Sequence, residues 1–135
     1  MGKMYGRSFV MIMQAKDALK KISEDDAYLD IACFETQQAV EFLIKEILTE
    51  KGVPYPKSHD ISYLLSLAKE TGFTFDGMDT LELLSSTVTD WEESSRYGKG
   101  VRTSADTVRR IHGLYNNMNS AFLEMQERNQ NDTAN

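Results

Sequence analysis

The chain has 135 residues, enough for one domain with its own core, and its 41% hydrophobic and 27% charged residues are those of an ordinary folded protein. A formal net charge of -6 and a pI near 4.9 exclude a protein that coats nucleic acid through a general basic excess, so any anion site must be local. A single cysteine, Cys33, excludes an internal disulfide, and no apolar run approaches the roughly 20 residues that span a bilayer.

The first residues hold one short apolar run, Phe9 to Met13, with no small-residue cleavage site, so they do not read as a signal peptide. Gly6 stands where a myristoylation pattern needs Ser or Thr. The expected location is the cytoplasm. A first helix is expected over about residues 8–22, where Phe9, Ile12, Met13, Lys16, Leu19 and Ile22 recur at spacings of three and four. The aliphatic stem of Lys16 can lie along such a stripe. Ser23 or Asp25 then caps a second helix over about residues 26–51. Ala32, Ala39, Leu43 and Ile47 make one apolar line on it, and Cys33, Val40, Ile44 and Leu48 make another. A helix apolar on several sides is central in a bundle or shared with a partner chain. Cys33 reads as a small buried hydrophobe.

Gly52 stops that helix, and "VPYPKSHD" is a loop holding both prolines of the chain. Ser58 or Asp60 caps a third helix with Ile61, Leu64, Leu65 and Ala68, which ends at Gly72. Leu81, Leu84, Val88 and Trp91 mark a fourth. "SSRYGKGVRTS" is a second loop, rich in Ser, Gly and cations. A fifth helix starts near Ser104 or Ala105 and carries Val108, Ile111, Tyr115, Met118, Phe122 and Met125. No strand-like alternation stands out. The expected fold is all-α: one antiparallel, up-and-down bundle of about five helices over residues 1–128, with a disordered polar tail over 129–135.

Tyr28, Ala32, Phe34, Gln37, Gln38, Ala39, Glu41, Lys45 and Leu48 follow one pattern on the second helix. Gly52, then His59 and Asp60 opening the third helix, and Arg96–Tyr97 after the fourth complete it. This order resembles the HEPN family, the higher-eukaryote and prokaryote nucleotide-binding domain, over roughly residues 8–128. The resemblance implies a helical bundle that pairs into a homodimer and works near nucleotides or RNA. It also implies a minimal nucleotidyltransferase as partner, in a toxin–antitoxin-type pair. Ribonucleases of the family carry Arg, four to six residues, then His. Neither His59 nor His112 has an Arg at that distance, and Arg109 and His112 stand only three apart. The expectation therefore leans from enzyme to binding protein. A ribonuclease toxin with a non-standard Arg/His site and a pure dimerisation module are the alternatives.

"RYGKGVR" is the best local anion candidate. Arg96 and Lys99 supply cations, Tyr97 can stack on a base, and the glycines allow close approach. Asp90, Glu92 and Glu93 upstream could instead pair with those cations. His59 reads either as a residue bonded to its own loop or as a pocket residue at a helix start, where anions are favoured. Lys45 reads as half of an i, i+4 surface pair with Glu41 or as a phosphate contact. Gln37 and Gln38 diverge by about 100°. One is therefore expected buried and bonded, and Gln38 is the candidate for a base contact. His112 reads as a packed, hydrogen-bonded histidine. There is no phosphate-loop pattern, dinucleotide fingerprint or zinc spacing, so neither cofactor nor metal is expected.

Overall fold

A computed structural model describes residues 2–96 and 103–134, with only the backbone of residues 95, 96 and 132–134. Five helices make up the described fold: α1 (Lys3–Lys20), α2 (Ala27–Glu50), α3 (Ile61–Glu70), α4 (Met78–Arg96) and α5 (Ala105–Ala134). There is no strand among the described residues.

Local chemistry sets the boundaries. Asp25 Oδ1 accepts the Ala27 N–H at 2.8 Å before α2, and Asp60 Oδ1 accepts the Tyr63 N–H at 3.3 Å at the start of α3. Ser104 Oγ accepts the Thr107 N–H at 3.2 Å at the start of α5. Each satisfies a backbone donor that the helix leaves free. Gly52 and Gly72 follow α2 and α3 at φ +70 and +88, the left-handed geometry that ends helices at glycine. α1 begins five residues earlier than its apolar spacing suggests. Tertiary contacts hold that extra turn: Tyr5 stacks on Phe122 at 5.4 Å, and the Gly2 N–H donates to Glu46 Oε1 at 2.8 Å. α5 runs to Ala134, past Arg128, where the sequence pattern places the end of the domain.

α2 is the axle. It packs against α1, α3, α4 and α5. Its two apolar lines are both buried within the one chain, as a central helix requires. Each fully buried Leu or Ile contributes about 1.5–3 kcal/mol of transfer free energy. α1 runs antiparallel to α2, and α5 runs parallel to it: Thr36 meets His112, and Glu50 meets Asn129. α1 and α5 flank α2 and reach each other through side chains, Tyr5 on Phe122 and Ser8 with Tyr115. Ser8 Oγ donates to the Ala39 carbonyl at 2.6 Å, so the Tyr115 hydroxyl 2.7 Å away donates to Ser8. Burial pushes the Tyr115 phenol up to about 12. Trp91 is in the core, as is Cys33, whose thiol is pushed up to about 12 by burial and then by Asp30. A thiol so raised is chemically inert.

Candidate functional site

Two polar assemblies sit on α2. The first is centred on Glu41, which is 1% exposed. Its Oε1 accepts from Gln37 Nε2 at 2.9 Å and lies 2.9 Å from His59 Nδ1. Its Oε2 accepts from Lys45 Nζ at 2.9 Å. Gln38 Nε2 in turn donates to Gln37 Oε1 at 2.7 Å. The Lys45 ammonium also lies 5.8 Å from the Tyr55 ring centre.

This corrects one expectation. The Glu41–Lys45 pair is not a surface pair: its side chains are 2% and 12% exposed. Gln37 and Gln38 do diverge on the helix, with Gln37 buried and Gln38 half-buried. Their long side chains nevertheless bend back to meet. His59, Lys45 and Gln38 are thus brought together through Glu41, a residue that sequence spacing treats only as Lys45's mate. A buried carboxylate requires such partners, because an unpaired one is strongly destabilising. Two of Glu41's partners, Gln37 and Lys45, lie on α2 itself, and the third, His59, ties the loop before α3 to it.

The second assembly is a cleft of about 340 Å³ between α1 and α5, lined by Met13, Lys16, Asp17, Leu19, Lys20, Arg109 and His112. It exists because α1 and α5 both pack on α2 and only their side chains span the gap. His112 is 6% exposed, and its Nε2 lies 2.8 Å from Thr36 Oγ1. Its pKa is pushed down to about 4, first by burial and then by Lys16 and Arg109. The ring is therefore neutral at pH 7. Lys16 and Arg109 thus stand close enough to oppose a charge on the ring, and Asp17 shares the lining with them. Lys20 meets Asp17 only at 3.9 Å, and Arg109 meets Asp106 at 3.0 Å, both at exposed positions. Exposed pairs of this kind exchange readily for a better anion. Burial, and Asp17 beside it, push the Glu35 carboxyl above the usual range.

A larger groove, about 740 Å³, runs between α3 and α4. Glu70, Asp79 and Glu82 line it, with Lys69 bound to Glu82 at 3.0 Å, so it repels phosphate. The charge is unevenly spread. α1 carries Lys3, Arg7, Lys16 and Lys20 against Asp17 alone, whereas residues 61–96 carry seven acids against Lys69 and Arg96.

Of the loop candidates, Arg96 closes α4, and its side chain lies outside the described residues, as do Tyr97 and Lys99 altogether. The segment 97–102 joins α4 to α5, and Arg109 follows one turn into α5. Lys16, Lys20 and Arg109 are missed as site residues by sequence alone. The available signal is the Arg109–His112 spacing, which puts both on one face of a helix. No group of three or more His, Cys, Asp or Glu suited to a metal occurs among the described residues. No described helix is long and apolar enough to cross a membrane.

Comparison with known proteins agrees with this architecture. The family model of the HEPN domain matches residues 11–124, most of the chain. No curated protein and no solved structure matches. The chain belongs to the HEPN domain family.

Proposed function

We propose that this HEPN domain binds a nucleotide or RNA in the cleft between α1 and α5. The observation that carries the reading is the convergence of Lys16, Lys20 and Arg109 on one cleft in a protein of net charge -6. Phosphate binding needs local cations, and three of them line this cleft. Arg96, Tyr97 and Lys99 stay in the proposal as phosphate and base contacts on their residue types alone. His59 is bound to Glu41 and acts through that network rather than on the ligand. Lys45 and Gln38 act mainly through the packing of α2, since the Lys45 charge is already committed to Glu41. A homodimer, a minimal nucleotidyltransferase partner in a toxin–antitoxin-type pair, and a cytoplasmic setting complete the reading. Family membership supports them. Because both apolar lines of α2 are buried within its own chain, the dimer draws chiefly on α5.

The test is a titration of labelled nucleotides and short RNA against the wild type and a Lys16→Ala/Arg109→Ala variant, with circular dichroism as a folding control. Binding that is lost in the variant and falls with salt supports the reading. Equal affinities at low salt would remove the cleft from the site. Sedimentation at micromolar concentration showing only a 15.4 kDa species would remove the dimer.

One observation favours a second reading. Arg109 and His112 line the same cleft, so an RNA-cleaving site with non-standard spacing has both of its groups in place. Against it, His112 Nε2 is engaged by Thr36. The expected outcome is little metal-independent cleavage. Robust cleavage that His112→Ala abolishes without unfolding the protein would transfer the function to this second reading.

A further inference from the structure

Three residues of α1 fall on one stripe. Lys16 and Lys20 stand seven and eleven residues after Phe9, which places them within about 20° of it on either side of the helix axis. Met13 is about 40° away. Met13, Lys16 and Lys20 all line the cleft, so Phe9 continues the same face toward the N-terminus of α1. Phe9 is 53% exposed and Met13 44%. An exposed aromatic ring in line with cations is the arrangement that single-stranded nucleic acid needs: the ring stacks a base and the cations take the backbone. Along the axis, Phe9 is about 10 Å from Lys16 and about 16 Å from Lys20. One base on Phe9 therefore leaves room for successive phosphates at Lys16 and at the Lys20–Arg109 mouth.

We infer that Phe9 is a base-stacking platform, and that the ligand of the α1–α5 cleft is a single strand of RNA rather than a free nucleotide. This rests on the cleft being the binding site. The strand displaces the weak contacts of Asp17 with Lys20 and of Asp106 with Arg109. His112 stays neutral beneath it, adding no charge. Asp17 remains at the edge and disfavours a second layer of phosphates.

The experiment is fluorescence anisotropy with a labelled oligouridine RNA octamer, AMP as competitor, and the variants Phe9→Ala, Phe9→Trp and Lys16→Ala/Arg109→Ala. The octamer should bind at least about tenfold more tightly than AMP, as expected when more than one contact is engaged. Phe9→Ala should weaken the octamer about five- to a hundredfold, the range for one stacked base, without changing the salt slope. Phe9→Trp should restore it. Phe9 is half-exposed, so Phe9→Ala should stay folded, which circular dichroism checks. Octamer binding by Phe9→Ala equal to wild type, or AMP competing as well as the octamer, overturns the inference. If the Lys16→Ala/Arg109→Ala variant still loses binding in that case, the cleft stands and only the stacked strand is lost. An octamer that does not bind the wild type overturns both.

Discussion

The Glu41 assembly and the α1–α5 cleft use the same kinds of residue on opposite terms. Around Glu41, one buried carboxylate is matched by Gln37, Lys45 and His59, and the amide of Gln38 closes the chain. In the cleft, Lys16, Lys20 and Arg109 line a wall with a neutral histidine, and Asp17 and Asp106 meet Lys20 and Arg109 at exposed positions. A closed network spends its polarity on the fold. An open one keeps charge in reserve for a ligand. On the proposed reading, the difference means that a polar motif on the central helix serves the fold, and the site is to be sought where charge of one sign is left over.

The sharpest way to break this contrast is to open the closed network. Glu41→Ala leaves Lys45 buried without its anion, and should cost about 3–5 kcal/mol, read as a lower urea midpoint with an unchanged slope. A loss below about 1 kcal/mol would show that water already reaches Glu41 and that the network is not closed.

The next effect belongs to the cleft and depends on pH. The folded pKa of His112 is about 4, below its ordinary 6.5, so the unfolded chain binds more protons between those values. Its contribution is fully present above about pH 6.5, is lost as pH falls through the window, and amounts to a few kcal/mol at most. Urea melts at pH 7 and pH 4.5 measure it, with His112→Asn as the control that should flatten the profile. A wild type as stable at pH 4.5 as at pH 7 would mean that the histidine charges freely in place.

Smaller still is the expected cost of removing the cations. Lys16→Ala should change stability by no more than about 0.5 kcal/mol, as for surface sites generally. It should also raise the His112 pKa, because Lys16 is one of the charges that lower it. An NMR titration of the imidazole that does not move would show that the field in the cleft comes from elsewhere.

Much of the fold can be read from residue order. The spacings of Leu81, Leu84, Val88 and Trp91, and of Val108 through Met125, mark buried stripes because a helix repeats every 3.6 residues. Asp60 is legible as a cap for the same local reason. The early start of α1 is not legible, because Tyr5 is held by Phe122, 117 positions away in the chain. The site is legible only in fragments. His59, Lys45 and Gln38 can be picked out by family pattern, but their common partner Glu41 is a matter of burial, which spacing does not show. The convergence of Lys16 and Arg109 needs the tertiary fold, since α1 and α5 lie far apart in the chain and meet where both pack on α2. His112 as a packed histidine is readable from its place beside an apolar stripe, and its role as the floor of a cationic cleft is not.

The central claim is that the cleft, and not the Glu41 network, holds the ligand. The direct measurement is the salt dependence of RNA octamer binding by wild type, Lys16→Ala/Arg109→Ala and His59→Asn, each checked by circular dichroism. The account predicts that the double variant loses affinity at least about tenfold and that its slope of log K against log salt shrinks by about 1.4, two phosphate contacts on a single strand. His59→Asn should match the wild type in both. A double variant that binds like the wild type, with the loss appearing instead in His59→Asn, would contradict it.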